Sequence, residues 1–197
     1  MESLQSYSAV FSVLQEFLNE HASIEIDVCE AVLNGGWEAL EHNRVDLVVG
    51  SPGPVPLQKG YRAIPLANAD LVPVIASHHE LAGLANSRKA LEVALPGLRR
   101  IITHDTSTTG VTRSAGLSSD GQKLYVQNTD LKAEAILAGL GIGHLPRHRI
   151  QQHLNDGRLI QLNLSEDSFH ENFLAWKINN RGKGMQALTQ RLLVELS

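Results

Sequence analysis

The chain has 197 residues, of which 43% are hydrophobic and 19% charged, and its formal net charge is −4 at pH 7. A chain of this length and composition can bury a substantial core, as one domain or two small lobes. Its negative net charge argues against a nucleic-acid-binding surface, which requires clustered lysine and arginine. A single cysteine, Cys29, excludes an intrachain disulfide and a thiolate metal cluster. No apolar run reaches membrane-spanning length and no export signal is recognised, so we expect a cytoplasmic protein without membrane contact.

The first half of the chain alternates helical and extended patterns. Apolar residues at helical spacing predict a packed amphipathic helix over Val10–Leu18. The segments predicted after it are a strand at 24–28, a helix at 36–42, a buried strand at 45–49, a loop at 51–56 and an extended segment at 61–76. This alternation predicts an α/β fold with a mainly parallel sheet covered on both faces.

The second half continues the alternation. Its predicted elements are a helix at 87–92 capped by Ser87, a strand at 98–103, a polar loop at 105–109, a strand at 124–127, a helix ending at 138, a strand at 142–145, a helix beginning at Pro146, a strand at 173–178 and a helix at 184–195.

The glycine-rich stretch Ala138–Pro146 resembles a nucleotide-binding loop at first sight. A dinucleotide fingerprint needs a strand, then glycines, then a helix whose free N–H groups meet the pyrophosphate. Here a helical pattern precedes the glycines and a short apolar strand follows them. Gly139 is therefore predicted to stop a helix as its C′ residue with positive φ, and a nucleotide cofactor is not expected.

Three motifs in this chain carry a family resemblance. They are Leu137–Pro146 followed by Asn-Asp-Gly-Arg-Leu, Trp37–Leu40 leading to Arg-Val-Asp-Leu-Val-Val-Gly, and Ile64–Leu66 with the crossover segment that ends at His78-His79-Glu80-Leu81-Ala82. In this order they resemble the effector-binding domain of LysR-type transcriptional regulators. The resemblance implies two Rossmann-like lobes joined by crossover strands, a periplasmic-binding-protein-like (type 2) fold, with lobe I at 1–73 plus 170–197 and lobe II at 74–169.

The beginning of the chain departs from the family pattern, which has a helix-turn-helix and then a β-strand before the helix equivalent to Val10–Leu18. Residues 1–8 are too few and too polar to supply that strand. We therefore expect lobe I to lack or replace its first strand, leaving an apolar groove and unpaired backbone groups. Rearrangement, strand exchange or tight dimerisation is expected to fill the groove, and this chain alone is not expected to bind DNA.

Ligands of open α/β sheets bind beyond the carboxyl ends of strands, where hydroxyls and backbone N–H groups suit a small anion such as a carboxylate. The family resemblance implies that Ser51, Thr108, Thr109 and Asn128 contact the effector. Ser107 and Thr129 belong to the same loops and complete the predicted ligand set. Ser6 and Ser8 are candidates for the family's first ligand loop. The alternative is that residues 107–109 and 128–130 only cap helices.

The sequence lacks the residue patterns that are typical of catalytic and metal-binding sites. The chain has no G-x-S-x-G nucleophile elbow, and the neighbours His104, Asp105 and Ser107 point in different directions along a strand end, so they do not form a triad. The histidines show no ligand spacing with a carboxylate or thiol. We expect no catalytic residue, metal or cofactor.

The sequence thus predicts a small-molecule effector-binding and oligomerisation domain rather than an enzyme. The expected partners are an organic acid or other small metabolite and a second copy of the chain, through the helix Val10–Leu18 and one around Ser114–Leu117. The alternatives are a solute-binding protein for transport, an α/β enzyme, and a truncated subunit that pairs with full-length regulators.

Overall fold

The structure is a computed structural model that describes residues 1–57, 60–109, 121–164 and 170–197. The helices are α1 Tyr7–Glu20, α2 Gly35–Glu41, α3 Arg88–Ala94, α4 Thr129–Leu137, α5 Arg147–Asn155 and α6 Lys183–Leu196. The strands are β1 Leu47–Pro52, β2 Tyr61–Ala69, β3 Leu71–Ala76, β4 Arg100–Thr103, β5 Lys123–Val126, β6 Gly143–Pro146, β7 Leu159–Gln161 and β8 His170–Lys177. Of the helices in these ranges, none is long and apolar enough to cross a membrane.

The described residues separate into two compact units. The first comprises residues 1–57, 60–69, 105–109 and 170–197, and the second comprises 70–104 and 121–164. Residues 105–109 therefore group with the first unit, although the described segments before and after them, 70–104 and 121–164, belong to the second. The lobe boundaries expected from the family, 1–73 plus 170–197 and 74–169, stay a prediction.

The first unit is built on a three-stranded sheet with β8 at its centre. β1 and β2 both pair with β8 in antiparallel register, for example Leu47 with Trp176 and Tyr61 with Lys177. Helices α1 and α6 cover one face with a core that includes Val10, Leu14, Leu174 and Leu192. Helix α2 covers the other face, where its Trp37 and Leu40 pack with Val48 of β1 and Ala175 of β8.

The second unit contains an antiparallel sheet, β6-β3-β7, and a parallel pair, β4-β5, which an isolated parallel bridge between Arg100 and Ile142 joins to the chain before β6. Ile101, Ile136 and Leu145 belong to a core that α4 and α5 cover. Ile75, Leu91 and Ile142 belong to a second core that includes α3.

The expectation of a mainly parallel sheet is wrong for the described ladders, of which only β4-β5 is parallel. Parallel neighbours require a crossover connection, usually a helix. Strand β3 instead follows β2 after a single residue, Asp70, and β8 follows the second unit. β3 and β8 are the central strands of the two three-stranded sheets, and each runs antiparallel to the strands on both of its sides.

The predicted strand at residues 24–28 is also wrong, since the structure assigns no strand there. A strand needs a ladder partner, and only residues 1–3 pair in this region. Glu2 forms a parallel bridge with Ala31, and the Glu2 N–H donates to the carbonyl of Val49 at 2.8 Å. Residues 24–28 precede this short pairing, and none of the described residues forms a ladder with them.

Several element boundaries differ by a residue or two from the expectations. Ser51 and Pro52 continue β1 instead of opening the loop. Ser87 is the N-cap of α3, but its side chain makes no capping hydrogen bond. Pro146 ends β6 and is the N-cap of α5 rather than part of its first turn. The helix stop is confirmed, because Gly139 follows the C-cap Ala138 with φ +78°.

Candidate functional site

Two glycines at the start of α2 allow β1 and the loop at 105–109 to approach this helix closely. A Cβ on Gly36 would lie 2.3 Å from the Ser51 Oγ, and a Cβ on Gly35 would lie 1.8 Å from the Thr106 Oγ1. Because any larger residue would collide with these hydroxyls, the glycine pair brings two polar side chains against the helix. Ser51 is only 2% exposed at this position.

Thr106 joins the loop at 105–109 to the segment that precedes α2 through hydrogen bonds with Val32. Its Oγ1 accepts a hydrogen bond from the Val32 N–H at 3.0 Å and donates to the Val32 carbonyl at 3.3 Å. The Thr106 N–H also donates to that carbonyl. Ser107 continues the loop, with its N–H donating to the Asp105 carboxylate at 2.9 Å.

The next two residues of the loop bind the carboxylate of Glu38 on α2. The Thr108 and Thr109 N–H groups both donate to Oε2 at 2.8 Å. The Thr108 hydroxyl donates to Oε1 at 2.9 Å and the Thr109 hydroxyl to Oε2 at 2.8 Å. Four donors from two consecutive threonines thus surround one carboxylate, an arrangement suited to an anion.

These bonds shift the ionisation of Glu38 strongly. The Thr109 N–H, followed by the two threonine hydroxyls and the Thr108 N–H, lowers the pKa of Glu38 to about 2, against the opposing effect of burial. Arg44 adds an ion pair, with 2.8 Å between its Nη2 and the Glu38 Oε1. Glu38 is 6% exposed and stays ionised throughout the physiological pH range.

The second unit holds the remaining predicted ligand residues at the start of α4. The Asn128 Oδ1 accepts a hydrogen bond from the Leu131 N–H at 2.9 Å, so Asn128 caps the helix as the capping alternative predicts. Thr129 is 2% exposed. One turn later lies Lys132, which is 6% exposed, and burial lowers its pKa to about 8.

The structure therefore places the predicted set in two groups. Ser51, Ser107, Thr108 and Thr109 lie in the first unit, and Asn128 and Thr129 lie in the second. Ser6 caps α1 by accepting from the Ala9 N–H, and Ser8 is within 3.1 Å of the Ser6 hydroxyl. The predicted dimer segment Ser114–Leu117 lies outside the described residues.

Two histidines of the second unit lie in packed surroundings. The His104 ring stacks on Tyr125 with 4.9 Å between centroids, and His144 is 9% exposed within β6. Among residues 1–57, 60–109, 121–164 and 170–197, no group of three His, Cys, Asp or Glu side chains could hold a metal ion.

Sequence reasoning missed three buried side chains whose pKa values are shifted: Glu38, Lys132 and Glu2. Glu2 is 3% exposed, and burial raises its pKa to about 8 although the Ser3 hydroxyl acts in the opposite direction. Glu38 had one usable signal, its position two residues after the Gly35-Gly36 pair. Its partners are 70 and 71 residues away in sequence, a separation that no local pattern encodes.

Comparison with known proteins gives a consistent result along the whole chain. The model of the LysR substrate binding domain matches residues 2–196. The Escherichia coli K12 regulator PunR is 28% identical over 182 residues, covering 91% of this chain and 58% of that protein. YeeY of the same strain, an uncharacterized HTH-type transcriptional regulator, is 25% identical over 177 residues, covering 89% of this chain and 57% of that protein.

Solved structures show the same fold. The effector-binding domain of QuiR in complex with shikimate superposes with a TM-score of 0.71 at 16% identity, covering 98% of this chain and 92% of that one. The regulatory domain of Synechocystis CcmR in complex with 2-PG gives 0.66 at 20% identity, covering 98% and 94%. This chain spans less than three fifths of the curated relatives named above. With a match from residue 2 to residue 196, the chain belongs to the LysR substrate-binding domain family.

Proposed function

We propose that this chain is the effector-sensing domain of a LysR-type transcriptional regulator, and that it binds a small organic acid. The match of the family model to residues 2–196 carries this proposal. Two relatives named above are HTH-type transcriptional regulators. In such a regulator, effector binding would shift an equilibrium between conformations or subunit arrangements, by as much as the effector's affinities for them differ.

The threonine loop supports an acidic effector. Its four donors already hold a carboxylate, that of Glu38. A carboxylate of similar geometry would take these donors in exchange, leaving Glu38 to Arg44. Shikimate, named with the structure of QuiR, is an acid of this kind. The residues proposed to contact the effector are Ser51, Ser107, Thr108, Thr109, Asn128 and Thr129.

The wider assignment follows the family. We propose a cytoplasmic homodimer that binds its effector without chemical turnover and makes no direct contact with DNA through this chain, with family-type lobes at 1–73 plus 170–197 and 74–169. Light scattering tests the dimer, and a gel shift at moderate salt tests DNA binding. Specific DNA binding by this chain alone would contradict the assignment.

Effector binding is testable by thermal shift against shikimate, benzoate and related small organic acids. A ligand that binds only the folded state at 100 times its Kd stabilises it by about 2.7 kcal/mol. We expect at least one acid to raise Tm in a saturable way and to be recovered unchanged. Conversion of the acid would favour the enzyme alternative. No shift with any acid, together with a shift from neutral metabolites, would contradict the acidic effector.

Two variants locate the site. Thr109→Ala removes one hydroxyl donor and is expected to weaken acid binding by about tenfold, as for one hydrogen bond to a charged group. Ser23→Ala removes an exposed hydroxyl from a segment outside the predicted loops and serves as the matched control. Equal affinities for the two variants would place the effector elsewhere.

A further inference from the structure

Arg100, the first residue of β4, carries a guanidinium that is buried with unused hydrogen-bond donors. Arg100 is 3% exposed, and its Nε and Nη1 atoms donate to no acceptor in the part of the chain that the structure describes. The neighbouring Arg99 takes two acceptors nearby, with its Nη2 3.0 Å from the Gln122 Oε1 and its Nη1 3.4 Å from the Leu140 carbonyl oxygen. Because burying an unpaired charge is strongly unfavourable, an acceptor at the Arg100 guanidinium would stabilise the second unit.

The side chains that share a face of the sheet with Arg100 include buried apolar ones. Its bridge partner, Ile142, is 0% exposed and belongs to the core that includes Leu91 of α3. Side chains two residues apart in a strand lie on the same face, and Ile102 on this face is 4% exposed. These apolar side chains offer the guanidinium no acceptor, and the low dielectric around them strengthens a charge pair formed here.

A second cation, Lys123 of β5, lies beside Arg100. The register of the parallel pair β4-β5 places Arg100 opposite Lys123, so both side chains leave the same face from strands about 4.8 Å apart. Lys123 is exposed, and this face therefore opens to solvent at β5. Neither side chain forms an ion pair with a carboxylate of the described residues. Like charges directly opposite each other are destabilising, and one anion between them would relieve this repulsion.

The helix on this face does not neutralise the two cations. The sequence of α3 contains one acidic residue, Glu92, and its Oε1 pairs with the Arg88 Nε of the same helix at 2.9 Å. An anion from solution is therefore the partner that Arg100 and Lys123 can take together. A guanidinium holds an oxyanion through two parallel N–H donors, and a phosphate group, with a charge of about −1.5 to −2 at neutral pH, matches the two cations.

We propose that Arg100 and Lys123 bind a phosphate group, free or as part of a small phosphate monoester. The Arg100 guanidinium donates to two of its oxygens, and the Lys123 ammonium pairs with it from the solvent side. This site lies where β4 and β5 begin, whereas the predicted effector residues Asn128 and Thr129 follow the end of β5. The two positions are at opposite ends of the strand pair, so the proposal concerns a second site and does not rest on the proposed function.

The test is a titration of the full chain with inorganic phosphate at constant ionic strength, followed by thermal shift and by nitrogen–proton correlation NMR. We expect a saturable rise in Tm and a shift of the Arg100 Nε–H signal, since a charge-assisted hydrogen bond forms at this atom. Acetate, with one charge, is expected to bind at least about tenfold more weakly. Tighter binding of glycerol phosphate than of inorganic phosphate would identify a monoester as the ligand, and weaker binding would identify the free ion. No rise in Tm, an unchanged Nε–H signal, or equal binding of acetate would overturn the proposal.

Three variants assign the binding to the two cations. Arg100→Met keeps an unbranched stem without donors and is expected to weaken phosphate binding by at least about a hundredfold, as for two hydrogen bonds to a charged group. Lys123→Gln changes an exposed residue, so it serves even if Arg100→Met does not fold, and it is expected to weaken binding by about two- to fivefold. Lys183→Gln makes the same charge change on an exposed residue of α6 in the first unit. If Lys183→Gln weakens phosphate binding as much as Lys123→Gln does, the binding is non-specific attraction and the proposal fails.

Discussion

Glu38 shows how one side chain can hold a loop that belongs to a distant part of the sequence. Its carboxylate receives two N–H and two O–H donors from Thr108 and Thr109. Hydrogen bonds to an ionised acceptor are roughly twice as strong as neutral ones. Glu38 therefore acts as an internal anion, and a ligand that uses the same donors must compete with it.

Glu38→Gln tests whether Glu38 holds the loop and whether it competes with an acidic ligand. The amide keeps one acceptor but loses the charge, so we expect a Tm lower by about 5 °C at neutral pH and severalfold tighter binding of an acidic effector. The folded-state pKa of Glu38 is lowered from 4.5 to about 2. Its stabilisation is therefore complete above pH 4.5 and disappears as the pH falls toward 2, and the two Tm curves should converge over that range.

Glu16→Gln is the control for this variant, because Glu16 is exposed on α1. Its Tm is expected to follow the unmodified chain at every pH. If Glu38→Gln also leaves both Tm and effector affinity unchanged, the carboxylate does not hold the threonine loop in solution.

Lys132 is expected to destabilise the second unit at neutral pH. Burial lowers its pKa from 10.5 to about 8, so the folded state disfavours the charged form. Stability rises as the pH increases from about 8 to 10.5, since the unfolded chain then binds more protons. Lys132→Met removes the charge at similar volume and is expected to stabilise the chain at about pH 6 by up to roughly 3 kcal/mol.

Urea unfolding followed by far-UV circular dichroism measures this effect at about pH 6 and about pH 10. The gain from Lys132→Met should disappear at the higher pH. Lys123→Met alters an exposed lysine of β5 and is expected to show no such pH dependence. A destabilising Lys132→Met at about pH 6 would mean that the ammonium has a compensating anion in solution.

At the scale of elements, the packing of α2 on β1 depends on Gly36. A Cβ there meets the Ser51 Oγ at 2.3 Å but the Ser51 Cβ only at 3.6 Å, an ordinary contact. We therefore expect Gly36→Ala to destabilise the chain by about 1–3 kcal/mol. In a Ser51→Ala background the same change should be neutral or stabilising by up to about 1 kcal/mol, because alanine favours a helix over glycine.

A double-mutant cycle with urea unfolding measures the coupling free energy between Gly36→Ala and Ser51→Ala. Gly83→Ala is the control, since nothing lies within 4 Å of its added Cβ, and its effect should not depend on Ser51. An additive cycle for Gly36 and Ser51 would show that α2 moves away from β1 to accept the methyl group.

The elements that sequence analysis predicted well are those whose signals are local. Gly139 ends α4 because a left-handed residue at C′ needs only its own backbone and the helix before it. The apolar period of α1 is local in the same sense. Residues 24–28 carry an equally clear alternating pattern, yet they form no strand, because pairing depends on a neighbour that the pattern itself does not contain.

The predicted ligand set shows the same limit: local features could be predicted from the sequence, and tertiary contacts could not. The types and loop positions of Ser51, Thr108 and Thr109 are readable from the sequence, and the structure groups these three within one unit. Glu38, which occupies the threonine donors, was missed because tertiary packing alone brings α2 and the loop together. Asn128 is different, since its capping bond to Leu131 spans three residues and was open to prediction.

At the scale of the whole molecule, the buried side chains with shifted pKa values are divided between the two units. Glu2 and Glu38 lie in the first unit and Lys132 lies in the second. Both tryptophans of the chain, Trp37 and Trp176, also lie in the first unit. Tryptophan fluorescence therefore reports on the unit that contains these two glutamates.

The first unit is predicted to be most stable near pH 4.5 to 5. Burial raises the pKa of Glu2 from 4.5 to about 8, so the folded state keeps a proton that the unfolded chain loses first. The contribution of Glu2 to stability then falls as the pH rises from 4.5 to about 8, by up to about 5 kcal/mol, while burial lowers the pKa of the Met1 α-amine and acts in the opposite direction. Below pH 4.5 stability falls again, because Glu38 loses its charge toward pH 2.

Urea unfolding followed by tryptophan fluorescence at about pH 5, 6.5 and 8 checks this profile. The midpoint of the unmodified chain should decrease steadily across the series. Glu2→Gln keeps the side-chain volume without a titrating proton, so its midpoint should not decrease across the series and should exceed that of the unmodified chain at about pH 8. A parallel decrease in both proteins would assign the slope to another group, whereas a flat profile in both would mean that Glu2 reaches water in the folded state.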